Sequence, residues 1–316
     1  MSMENQESSG MAKQPPGLLA GRLRALSAMI AAPELNGDLL KAAGIDPVQG
    51  EETDVDEWAA LHYQVVTHDL MPASGVFLEE RGMLGGDVAR GIHDAMSRAG
   101  RQPVHDSLPA DHLANELAFM AEALEAGERD VLRAFWWGHG SAWIPLFPGL
   151  LSSVEDERVV ALAESLFEAI VALDAASEAG PETTIDETLP ASLARPRIDL
   201  DDASVGLAQI AAFLAVPSRS GLSLTRTAMA KAGRSHRLPT GFGSRIQVVE
   251  SLLRSAVHYE AWPALCAWLD AACDQAALIW SSRSQAAGGV WSERWLERLA
   301  LTRSVIDQLR AAEGSF

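Results

Sequence analysis

A chain of 316 residues, 48% hydrophobic and 22% charged, can bury roughly 75% of its unfolded surface, in one large core or two smaller ones. No run approaches the roughly 18 apolar residues that a membrane span requires, so stable membrane association is not expected. Forty-three acidic against 25 basic residues give a formal charge of -18, which disfavours nucleic acid and anionic lipid and favours a basic partner.

Residues 1–14 are polar, with Gly and Ser but no apolar block, and read as a disordered leader. Arg22 and Arg24 ahead of "ALSAMIAAP" have the outline of a secretion signal. The apolar stretch is short, however, and Leu19, Leu23, Leu26 and Ile30 fit an amphipathic helix instead. Further helical stripes follow acidic starts: Trp58, Leu61 and Val65; Leu113, Leu117, Met120 and Leu124 after Asp111; Val159, Leu162, Leu166, Ile170 and Leu173. Strand-like alternation is nearly absent and Ala and Leu outweigh the β-branched residues, so the class is all-α.

Residues 176–203 are acidic, contain prolines and lose the period, which marks a linker. Helices are expected after it near 205–214, 224–236, 244–258, 261–281 and 291–312, the last with Trp291, Trp295, Leu299 and Ile306 on one side. The division is then a helical domain over 15–175 and a second helical lobe over 204–316, with docking of the two into one core left open. Cys266 and Cys273 lie two helical turns apart, too far for a disulfide, and read as reduced core residues suited to the cytoplasm.

"PADHLANELAFM", residues 109–120, joins a loop to a helix at an Asp-His pair. Asp111 is placed to cap that helix, its carboxylate accepting N–H groups two or three residues on. His112 and Glu116 are i,i+4 neighbours, yet two ligands are too few for a metal site. No GxSxG, P-loop or GxGxxG follows a strand, and neither cysteine has a setting that lowers its pKa, so no catalytic residue and no metal is assigned.

Three motifs in order carry a family resemblance. Pro109, Asp111 and His112 resemble the E-x-P-x-D-H stretch of the TorD/DmsD/NarJ family of redox-enzyme maturation chaperones, with Ser107 in place of the leading Glu. "FWWGHGSAWIPLF" is similar to a later family segment through Phe135, His139, Trp143 and Pro145. Upstream, Tyr63, Pro72, Val76 and Phe77 align with a Tyr-x-x-Leu-Phe helix and a Pro-Tyr-Glu-Ser loop. Val66 and Thr67 replace Leu-Phe there, and Ala73, Ser74 and Gly75 replace Tyr-Glu-Ser.

The resemblance implies a cytoplasmic, non-enzymatic chaperone without an intrinsic cofactor. It would bind the twin-arginine signal or another N-terminal segment of a molybdopterin-containing oxidoreductase subunit and assist cofactor insertion before assembly or export. Asp111, His112 and Pro109 carry over as client-binding residues, with Glu116, Tyr63, Pro72, Phe77, His139 and Trp143 around them. Such a receptor needs carboxylates beside an apolar groove. Glu79, Glu80, Asp111 and Glu116 are candidates for the first, and Phe77, Phe135 and Trp143 for the second, although single tryptophans are more often core. Monomer and dimer both remain open.

From Pro217 to Arg254 seven basic residues face only Glu250, a local +6. Most such clusters are solvated faces. Here Gly241 and Gly243 precede a helix whose first turn carries Arg245, an arrangement suited to an anion. With Arg219 and Arg226, this stretch is expected to meet the phosphate of a pterin or guanine nucleotide, transient molybdopterin guanine dinucleotide among them, or an acidic client face. Two other readings are kept: an acidic helical scaffold docking a basic protein, and a metal- or ligand-dependent enzyme around Asp111, His112, Glu116 and His139.

Overall fold

The computed structural model describes residues 15–34, 36–46, 55–79, 82–177, 198–200, 202, 204–283 and 289–311. The leader at 1–14 and most of the expected linker therefore lie outside the described residues. The fold is all-α, and among the described residues the only strand-like pairing is one antiparallel bridge, Ala73 to His112.

Helix α1 (Pro16–Ala31) opens on Pro16, whose fixed φ suits a first turn, and buries Leu19, Leu23, Leu26 and Ile30. Helix α2 (Gly37–Ala43) is capped by Asn36 and stops at left-handed Gly44. Helix α3 (Val55–His62) runs straight into a π-helical segment, Tyr63–Leu70, which ends at left-handed Met71. Sequence periodicity does not reveal that widening. Short α4 (Ser74–Leu78) is wholly buried, and α5 (Gly86–Arg98) follows.

Helix α6 (Leu113–Glu125) is the central element. It packs along α1 and is buried on nearly every side, because Ala114, Ala118, Ala121 and Ala123 let neighbours approach where Leu113, Leu117 and Met120 fill the core. Helices α7 (Arg129–Gly138), α8 (Leu146–Leu151) and α9 (Glu157–Ala176) complete this half; Asp156 caps α9 by accepting from Arg158 and Val159 N–H.

The second half comprises α10 (Leu207–Leu214), α11 (Pro217–Ser220), α12 (Arg226–His236), α13 (Arg245–His258), α14 (Trp262–Arg283) and α15 (Gly289–Ala311). These bounds agree closely with the expected helices, and only the single turn α11 went unforeseen. Trp280 and Trp295 stack at 5.3 Å between α14 and α15, and Leu299 and Ile306 are buried on the same helix. The Trp291 side chain lies outside the described residues. Cys266 and Cys273 are free and buried; burial is the main cause that pushes the Cys273 thiol up to about 12.

Both halves contribute to one continuous buried cluster. Their seam is also polar. Trp295 Nε1 donates to Ala142 O at 2.9 Å across it, while within the second half Arg298 Nε donates to Ser218 O and Thr302 Oγ1 to Ser220 O, both at 2.7 Å, which binds α15 to α11. Ser218 Oγ donates to Glu79 O at 3.0 Å, which ties α11 to the end of α4. The second half thus rests directly on the segment that carries the Pro72–Phe77 motif.

Candidate client-binding site

The loop ahead of α6 is held from the helix itself. Asn115 accepts from His105 N–H at 2.8 Å through Oδ1 and donates through Nδ2 to the carbonyls of His105, Leu108 and Pro109. Sequence reading passed over Asn115, although a buried amide one turn into a helix is the usual means of tying down a preceding loop.

The loop then crosses the Pro72–Gly75 segment. Leu113 N donates to Pro72 O at 2.7 Å and Ser74 N to Asp111 O at 2.8 Å. Asp111 Oδ2 accepts from Gly75 N at 2.9 Å. A Cβ at Gly75 would lie 2.9 Å from Met83 O and 3.0 Å from Gly85 O, so only glycine fits this approach.

The expected role of Asp111 is corrected accordingly. His112, not Asp111, is the N-cap of α6, its Nδ1 accepting from Ala114 N–H at 3.3 Å. Asp111 turns inward because the antiparallel bridge puts alternate side chains on opposite sides, and its carboxylate serves the start of α4 instead. Glu116, the i,i+4 neighbour of His112, finds its partners farther along the chain. Glu116 pairs with His139 Nε2 at 2.8 Å through Oε1 and accepts from Trp143 Nε1 at 3.1 Å through Oε2.

Asp111 and Glu116 are both fully buried. Burial raises the Asp111 pKa, opposed first by the Gly75 N–H. It raises that of Glu116 as well, opposed by His139 and Trp143 and reinforced by the charge of Asp111. The Asp111 backbone N–H also steadies its own carboxylate, yet Oδ1 has no partner in hydrogen-bonding geometry; the buried hydroxyls of Ser74 and Ser141 likewise lack one. His112 is pulled down to about 4 by burial, then by His105 and His62.

The remaining predicted residues divide clearly. Phe77 and Trp143 stack at 5.5 Å and are completely buried, Pro72 is buried, and Phe135 packs on Phe119 and His139, so these aromatics are core walls rather than an open groove. Pro109 is exposed and His139 partly so. Tyr63 is 63% exposed beside His68 and stands apart from the cluster. Glu79 is committed to Val88 N at 2.6 Å, and Glu80 lies outside the described residues. A cleft lined by Pro15, Leu124, Leu132 and Ala172 opens at the other end of α6. Among the described residues no group of three or more His, Cys, Asp or Glu is placed to hold a metal ion.

An all-helical bundle organised round one buried helix, with a polar cluster at that helix's start, is consistent with the TorD-like chaperone domains. Residues 31–148 match the family model described as nitrate reductase delta subunit, that of the NarJ/TorD-type maturation chaperones. Its members are chaperones rather than enzymes and work with molybdoenzyme catalytic subunits. All three motifs, from Tyr63 to Pro145, lie inside the matched segment. No curated protein and no solved structure matches the chain. No helix among the described residues is long and apolar enough to cross a membrane.

Proposed function

We propose that this protein is a non-enzymatic chaperone that binds the signal peptide or N-terminal segment of a molybdopterin-containing oxidoreductase subunit and assists cofactor insertion in the cytoplasm, before assembly or export. The observation that carries the reading is the buried carboxylate oxygen Asp111 Oδ1, left without a hydrogen-bond partner beside a second buried carboxylate, Glu116. An unpartnered buried acceptor costs about 1–3 kcal/mol, and an incoming guanidinium supplies a fork of donors that matches a carboxylate. The partly exposed His139, hydrogen-bonded to Glu116, marks the approach from solvent.

Entry of an arginine requires α4 to move, since Ser74 to Leu78 cover Asp111. The segment has hinges for this motion: left-handed Met71 precedes it, and positive-φ Gly82, Gly85 and Gly86 follow. Once α4 lifts, Phe77 and Trp143 become an apolar wall for the segment that follows the arginines. The aromatics are thus core in the closed state and groove in the open one.

The test is titration of a client N-terminal peptide, with its arginine pair intact or changed to glutamine, against wild type and Asp111→Asn. Wild type is expected to prefer the arginine peptide, and Asp111→Asn to bind it at least about tenfold more weakly. Equal affinity of the two proteins for it removes Asp111 from the site.

A further inference from the structure

The basic stretch of the second half folds so that the Arg226 guanidinium reaches the loop that leads into Arg245. Arg226 is the first residue of α12 and Arg245 the first of α13, and both helices have capped starts. Thr225 Oγ1 accepts from Ala228 N–H, while Ser244 and Gln247 form a reciprocal box, Oγ accepting from Gln247 N and Oε1 from Ser244 N. The expectation that the glycine loop lends its own N–H groups to an anion is therefore revised. The box takes the Ser244 N–H, and Gly243 instead presents its carbonyl, which accepts from Arg226 Nη2 at 3.0 Å. Arg219, grouped with these residues in the sequence, sits on α11 at the seam with α4.

Arg245 is partly buried, and its Nη1 is closed to solvent with no hydrogen-bond partner. The charges that act on it are Arg226, which repels, and Asp69, which attracts. Asp69 is itself occupied, its Oδ1 accepting from Thr227 N–H at 2.8 Å. The one carboxylate that attracts Arg245 is thus already held at the start of α12, and the Arg245 Nη1 donor is left without an acceptor. Burial first, and then Arg226, pull the Arg245 pKa down to about 10. A buried cation without a full partner costs several kcal/mol, far more than an ordinary surface arginine.

We propose that Arg226 and Arg245 form an oxyanion site for a phosphate-bearing small molecule. A phosphate bridging the two guanidiniums gives Nη1 its acceptor, cancels their repulsion and meets the positive ends of α12 and α13. On the same loop, three residues from Arg245, Phe242 is entirely exposed between two positive-φ glycines, which presents a ring face for an attached heterocycle. This site does not rest on the client-binding reading, because it uses neither Asp111 nor α4.

Thermal unfolding of the full chain is followed with inorganic pyrophosphate and with guanosine diphosphate, against chloride at matched ionic strength. Both phosphates are expected to raise the midpoint, saturably, and Arg226→Gln to weaken them by about tenfold or more. Arg245→Met is expected to raise the ligand-free midpoint and to abolish the shift, since it removes the uncompensated charge together with its function. Arg226→Gln, at a half-exposed position, decides the matter alone if Arg245→Met does not fold. A loss on Phe242→Ala confined to guanosine diphosphate identifies a nucleotide-like source, and equal retention of both ligands identifies the phosphate group alone. No shift in wild type, or an undiminished shift in Arg226→Gln, overturns the site. Client capture is scored in parallel, so failure of one proposal is read separately from failure of the other.

Discussion

The carboxylate of Asp111 reaches 36 residues back along the chain to accept the Gly75 N–H at 2.9 Å, and so joins two of the three family motifs into one unit. Asparagine at 111 keeps an acceptor for that N–H and removes a charge that burial disfavours. Asp111→Asn is therefore expected to be neutral or mildly stabilising, while Asp111→Ala loses about 1–3 kcal/mol in urea unfolding. If the two variants unfold alike, the Gly75 hydrogen bond contributes little.

Gly75 is the other half of that contact. Gly75→Ala drives a methyl into Met83 O, Gly85 O and the Asp111 carboxylate, all within 3.0 Å of the new carbon. A destabilisation of about 1–3 kcal/mol is expected, with little effect from Gly91→Ala, where the added carbon meets nothing within 4 Å. Matched thermal melts of the two variants decide it.

Glu116 holds His139 and Trp143 at once, so its removal strands the buried Trp143 indole N–H and unpairs the partly exposed His139. Glu116→Ala should cost about 3–5 kcal/mol and Glu116→Gln clearly less, since glutamine keeps one acceptor. A cycle with Trp143→Phe should show coupling of about 0.5–3 kcal/mol; additive losses would mean that the indole bond is incidental.

Acid stability separates the histidines from the carboxylates. Burial lowers the pKa values of His62, His105 and His112, so the unfolded chain binds more protons and stability falls as pH drops from about 6.5 toward about 4, the value for His112. Asp111 and Glu116 act with the opposite sign: their raised values give stability that is present in acid and lost as pH rises through them. His112→Asn isolates one part, because asparagine is a good N-cap that does not titrate. The variant should lose less stability than wild type between pH 7 and pH 4.5, by up to about 3 kcal/mol. Parallel pH profiles would show that His112 is not buried neutral.

The shared core predicts one cooperative unfolding transition for the described fold, seen alike by tryptophan fluorescence and far-ultraviolet circular dichroism. Trp295→Ala removes the Trp280 stack and the hydrogen bond to Ala142 O, and should lower stability by about 3–5 kcal/mol. Two separated transitions in wild type would show the halves to be independent.

Much of this protein is written in local pattern. The helical stripes at Leu19–Ile30, Leu113–Leu124 and Val159–Leu173, and the bounds of α12 to α15, follow from the 3.6-residue period with caps such as Asp156, Thr225 and Ser244, because each depends on neighbours within a turn. The three motifs and their order were equally legible, and they lie inside the segment that matches the family. The π-helical run at Tyr63–Leu70, which buries Val65, Val66 and Leu70, was not, since the apolar spacing there reads equally as an ordinary helix.

Contacts distant in sequence had to wait for the fold. Local spacing made Asp111 a cap and offered Glu116 only His112 as an i,i+4 neighbour; the bridge between Ala73 and His112 turned Asp111 to Gly75, and the bend after α7 brought His139 and Trp143 to Glu116. The cluster of basic residues was visible in composition, but that the Arg226 guanidinium reaches the loop that leads into Arg245, and that Arg245 buries an unpartnered nitrogen, depends on the fold around the starts of α12 and α13. The sequence by itself determined the helices and the family resemblance of residues 31–148, because those are properties of short windows. The tertiary structure decided which polar groups are buried together and which are left unpaired, because burial is set by elements far apart along the chain.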